Sequence, residues 1–101
     1  MNWNIPENNR LVQAVLMLRN ADDARRFLRD LLTENEIEEF GKRLQTAELL
    51  LADVPYSTIE KKTGMSSTTV ARVSKWLNGK EGGYRRIINK LHQHQSLARA
   101  D

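Results

Sequence analysis

The chain has 101 residues and a formal net charge of +3, a length that suits one small domain with a modest core and leaves oligomerisation as a route to stability. It contains no cysteine, which excludes disulfides, thiolate catalysis and the common zinc frameworks. The charge is unevenly spread: residues 1–56 carry seven Lys/Arg and ten Asp/Glu, whereas residues 57–90 carry eight Lys/Arg and two Glu. A basic block abutting an acidic one is either a solvated charged face or the approach surface for an anionic partner. "MNWNIPENNR" lacks an apolar signal core and no stretch reaches membrane-spanning length, so a soluble cytoplasmic protein is expected.

Strand-like alternation is missing, and the expected fold class is all-α, with about six helices in a single domain over residues 1–101. The first helix should run from about Glu7 to Arg19, with Leu11, Val12, Val15, Leu16 and Leu18 on a broad apolar stripe. A second, from about Asp22 to Leu32, has two acids in its first turn, where the helix dipole favours them. "TENE" opens the third: Thr33 as N-cap and Glu36 three residues on form a capping box. Ile37, Phe40, Leu44, Ala47 and Leu51 then step by three and four. Leu49 and Leu50 widen that stripe beyond what one neighbour covers, which predicts a subunit interface as well as a core. Pro55 ends this helix, because a proline disfavours helical backbone in the residue before it.

A short helix from about Tyr56 to Thr63 follows, stopped by Gly64, and after "MSS" another runs to about Leu77. "NGKEGG" is a loop, and a last helix spans about Tyr84 to Leu97. The pair over about 56–77 is a helix-turn-helix candidate. Ile59, Met65, Val70, Val73 and Leu77 form its packing face, while Thr68, Ala71, Arg72 and Lys75 project from the opposite side of its second helix. That face is short, polar and basic, as a helix entering a DNA major groove requires. Of the four consecutive hydroxyl residues, Ser66 to Thr69, either Ser66 or Ser67 can cap the helix. The others can hydrogen-bond phosphates or base edges.

"LLTENEIEEFGKRLQTAELLL" and "YSTIEKKTGMSSTTVARVSKWL" resemble the Trp repressor family, and most of all its YerC/YecD-type subgroup. The resemblance rests on the Leu–Thr–acidic helix start, the Gly41-x-Arg43 step and the "TG-x-S-x-TT-V-x-R" run, and covers roughly residues 30–90. It implies an intertwined, all-helical homodimer that binds double-stranded operator DNA. Ser67, Thr68 and Ala71 match the family's DNA-contacting positions; Arg72 and Lys75 join them from the helical projection. Leu32, Thr33, Arg43, Thr69 and Arg72 match residues of the family's tryptophan pocket. Val73, however, stands where the Trp repressor has glycine, and Trp76 where it has serine, so tryptophan is not the expected effector. Arg43 and Arg72 are left either to hold another anion or to form ion pairs.

No cofactor is expected beyond a small-molecule effector of unassigned identity, and no metal site. His92 and His94 are two residues apart and point to different sides of a helix, so they are read as solvent-facing. Glu36, Glu38 and Glu39 sit where helix starts ordinarily carry carboxylates, and no nucleophile–base motif or phosphate loop is present. No catalytic residue is assigned. The function expected is a homodimeric, sequence-specific transcriptional regulator, a repressor by resemblance. Its rival is an adaptor using the same surface for an acidic protein, which would need aromatic or aliphatic anchors that the Thr68/Ala71/Arg72/Lys75 face lacks.

Overall fold

The computed structural model describes residues 1–99, with side chains through Gln95; residues 100 and 101 of the expected domain lie outside the described residues. Among them are six α-helices and no strand: α1 Pro6–Leu16, α2 Ala21–Leu31, α3 Glu34–Leu51, α4 Tyr56–Thr63, α5 Ser67–Leu77 and α6 Gly83–Arg99. They divide into two compact units, residues 1–37 and the residues from Glu38 onward, with the boundary inside α3.

In the first unit, α1 starts at Pro6, whose ring pre-sets a helical φ where no N–H partner is needed. It stops at Leu16, three residues short of the expected Arg19. The reason is Asn20, which takes extended backbone (φ −147°, ψ 169°) to cap α2, its Oδ1 accepting from the Asp23 N–H at 2.8 Å. A chain that must be extended at position 20 leaves the first helix earlier. No residue of α1 or α2 is buried, and Val15 and Leu16 are 51% and 70% exposed. The capping box forms as expected: the Glu36 N–H donates to Thr33 Oγ1 at 3.1 Å and the Thr33 N–H to Glu36 Oε1 at 2.9 Å. Hydrogen bonding to the carboxylate, first from the Thr33 backbone N–H and then from the Thr33 side chain, holds the Glu36 carboxyl below the usual glutamate range.

In the second unit the core is Ala47 of α3, Val73 and Leu77 of α5, and Ile88 of α6, with Leu44, Leu50, Leu51 and Tyr84 packed around them. The α3 stripe is therefore graded: Ala47 is fully buried, its leucines partly, and Phe40 remains exposed. Pro55 is not what ends α3. The helix stops at Leu51 through paired bonds from the Val54 N–H to Leu49 O and from the Asp53 N–H to Leu50 O, both 3.0 Å. This is a Schellman ending, with Asp53 rather than glycine in the left-handed conformation (φ 58°). Aspartate tolerates that region better than most residues.

Candidate nucleic-acid interface

The helix-turn-helix occupies the expected residues, α4 followed by α5. Gly64 adopts φ 73° and its N–H closes α4 on Glu60 O at 2.8 Å. The turn is then held by a residue that periodicity did not single out. Thr63 is 5% exposed; its hydroxyl donates to Ile59 O at 2.7 Å and accepts the Met65 N–H at 3.2 Å. Thr46 of α3, fully buried, donates its own hydroxyl to Lys42 O at 2.8 Å and lies 3.3 Å from Met65 Sδ. Ile59 and Val70 are fully buried beneath this turn, and Met65 is half-buried in it.

The four hydroxyls divide by task. Ser66 is the N-cap of α5, with Oγ accepting the Thr69 N–H at 3.2 Å, and the Thr69 hydroxyl bonds Ser66 Oγ at 3.0 Å. Ser67 and Thr68 stand outside that cap and are exposed. Along α5, Val70, Val73 and Leu77 are buried and Ala71, Arg72 and Lys75 are exposed, so all five expected contact residues share the open side of the helix. A capped first turn adds its unpaired N–H groups to that surface, which suits an anion.

The far end of α5 is braced from α6. Arg85 donates from Nε to Leu77 O at 3.2 Å and from Nη2 to Asn78 Oδ1 at 2.7 Å, while Asn78 Nδ2 donates to Ser74 O at 2.9 Å. A guanidinium at a helix C-terminus satisfies its free carbonyls and complements its dipole. Arg85 counts as one of the free charges of the basic block in sequence; in the fold it belongs to the support of α5. No local spacing rule reaches from position 85 to 77.

Of the five pocket-matching residues, four are already engaged elsewhere in the fold. Leu32 and Thr33 belong to the first unit, as the C-cap of α2 and the capping residue of α3. In the second, the Thr69 hydroxyl is taken up in the α5 cap. Arg43 pairs with Glu39 at 3.2 Å and its guanidinium lies over the Phe40 and Trp76 rings. Arg72 is exposed. Val73 is fully buried in the core, and Trp76 is 48% exposed at its rim. His92 and His94 are exposed as expected, although His92 Nε2 comes within 3.9 Å of Glu48 Oε2. Among the described residues no three His, Cys, Asp or Glu side chains gather as metal ligands, and no helix is long and apolar enough to cross a membrane.

Comparison with known proteins agrees with this geometry. The model of the Trp repressor protein family matches residues 7–92. The uncharacterized protein YerC of Bacillus subtilis (strain 168) is 31% identical over 90 residues, covering 89% of this chain and 86% of YerC. A TrpR-like protein from Eubacterium eligens ATCC 27750 superimposes with a TM-score of 0.83 at 35% identity, over 89% of this chain and 93% of that one. A candidate Trp repressor from Staphylococcus aureus does so with a TM-score of 0.81 at 32% identity, over 86% and 87% of the two chains. By sequence and by fold, this chain belongs to the Trp repressor family, in its YerC-type branch.

Proposed function

We propose that the protein is a non-enzymatic, sequence-specific DNA-binding transcriptional regulator, a repressor by family, that works as an intertwined homodimer and inserts α5 of each subunit into the major groove. The observation that carries this is the two-sidedness of α5: an apolar side sealed in the core, and an open side of Ser67, Thr68, Ala71, Arg72 and Lys75 with no apolar anchor. A capped, basic, closely approachable helix suits a groove floor better than a protein surface, whose contacts would need aromatic or aliphatic side chains. The homodimer is supported by α1 and α2, which bury no residue in a single chain and leave Leu11, Val12, Val15 and Leu16 exposed. The effector, where one exists, is not tryptophan. The valine in the glycine position is core, and the indole in the serine position already faces the Arg43 guanidinium.

The test separates contacts that position from contacts that read. Thr68 and Ala71 lie toward the N-terminal end of α5, the end that meets base edges in this motif, and Lys75 lies two turns along, where a lysine meets phosphate. Lys75→Ala should weaken binding to all sequences alike and lower the salt slope by about one. Ala71→Leu should damage operator sites more than random DNA, by about 1–3 kcal/mol for each base pair that α5 no longer reads. Equal losses on operator and random DNA for both variants would remove α5 as the reading element.

A further inference from the structure

Arg43 has an unusual setting for a surface arginine. It projects from α3, and its guanidinium carbon lies 5.3 Å from the centre of the Phe40 ring and 5.5 Å from that of Trp76. Nη2 pairs with Glu39 at 3.2 Å, and the buried Nε has no hydrogen-bond partner. With Nε unpaired, hydrogen bonding holds this guanidinium through Nη2 alone, and the two aromatic faces supply further attraction. A cation within about 6 Å of a ring centroid is attracted by the ring quadrupole, and the planar guanidinium stacks where an ammonium cannot.

The consequence lies in where Trp76 sits. It follows Lys75 directly and stands four residues, about one turn, beyond Arg72, both on the open side of α5. The core contacts of α5 are apolar: Val73 and Leu77 with Ala47 and Ile88. Such packing holds the helix down but is non-directional, so it resists lifting more than rolling. At a radius of about 5–6 Å, a roll of about 10° moves side-chain atoms by about 1 Å. That is enough to spoil a bidentate contact, and any roll that displaces Arg72 and Lys75 must also carry Trp76 off Arg43.

We propose that Arg43 is a positioning residue for DNA recognition: through its cation–π contact with Trp76 it sets the rotation of α5 about its own axis, so that the reading face is presented in one register without a small-molecule ligand. This rests on the assignment of DNA reading to α5 made above. Glu39 steadies the guanidinium from the same helix, one turn back, and the ring of Phe40, the next residue, lies 5.3 Å from the guanidinium carbon. The clamp joins positions 33 residues apart in sequence and acts through the helix that carries the contacts, touching no DNA itself.

The experiment compares Arg43→Lys, which keeps the charge and loses the plane, with Trp76→Phe, which keeps an aromatic face, and Trp76→Leu, which keeps only bulk. Each full-length protein is titrated onto operator DNA selected by the wild type and onto random DNA, at two salt concentrations, with thermal stability measured in parallel. Arg43→Lys and Trp76→Leu should lose about three- to tenfold in operator affinity, the scale of one cation–π contact, with random-DNA affinity and salt slope unchanged. Trp76→Phe should retain most of the wild-type ratio, and Arg43→Lys/Trp76→Leu should be no worse than the poorer single variant. Equal losses on both DNAs with a salt slope lowered by about one would make Arg43 a phosphate contact and overturn the proposal. A fall in stability alone, with the operator-to-random ratio intact, would overturn it as well. If Arg43→Lys does not fold, Trp76→Phe against Trp76→Leu decides the matter: equal operator affinities for the two reject the cation–π contact. Should wild-type protein fail to select any sequence, the DNA reading itself falls and the clamp with it, an outcome distinct from the others.

Discussion

Removing the Thr63 hydroxyl should loosen the turn between α4 and α5, and the size of the effect follows from what that hydroxyl does. In Thr63→Val the shape is kept, and two hydrogen bonds disappear. Ile59 O loses little, because it already accepts the backbone bond four residues along α4. The Met65 N–H loses its partner in a turn where Met65 is half-buried. An unsatisfied backbone donor of this kind costs about 1–3 kcal/mol, a factor of about 5 to 150 in the unfolding constant. Thr63→Ser keeps both bonds and removes one buried methyl, which costs about 0.8 kcal/mol. Valine should therefore destabilise more than serine, the reverse of what hydrophobicity alone would order. Urea unfolding at a fixed protomer concentration reads the difference. With an m-value of about 1–3 kcal/mol/M, a loss of about 2 kcal/mol moves the midpoint by about 1 M. A valine variant as stable as wild type, with an unchanged m-value, would show that water satisfies Met65 and that the hydroxyl is idle.

Three further outcomes are expected. The protein should sediment at about twice its chain mass of 11.7 kDa with a melting temperature that rises with concentration, and Leu16→Glu, harmless at a 70% exposed site of a monomer, should weaken the dimer and lower that melting temperature; a folded monomer at every concentration refutes the dimer. Tryptophan at about 1 mM should leave the melting temperature unmoved, whereas a site with a Kd near about 10 μM would stabilise the protein by about 2.7 kcal/mol at that concentration. Because its folded-state pKa is lowered, the Glu36 carboxylate contributes stability that is fully present above the ordinary glutamate range near about 4.3 and lost as the pH falls past its folded value. Glu36→Gln should flatten the acid limb of the stability profile, and an acid limb identical to wild type would show that the capping box carries no linkage.

What the amino-acid order determined here is what short-range geometry can express. Apolar residues at three- and four-residue steps located the helices, and Val70, Val73 and Leu77 are indeed the sealed side of α5. Thr33 with Glu36, Gly64 after Thr63, and serine before the α5 pattern marked the ends because each acts on backbone groups within four residues. The candidate contact surface was legible for the same reason: once the buried side of a helix is known, the opposite side follows at about 100° per residue. The stop of α1 was misplaced because its apolar pattern continues through Leu18, and only the competing cap at Asn20 truncates it. The tertiary structure decided the rest. Arg85 reaching back to Leu77 and Asn78, Arg43 lying over Trp76, and Thr46 meeting Met65 all join residues on different elements. Such pairs depend on interhelical distance and side-chain rotamer, neither of which leaves a periodic trace in the chain. A charge that looks free in sequence can thus become the cap of another helix, and a residue matched to a pocket can become a brace.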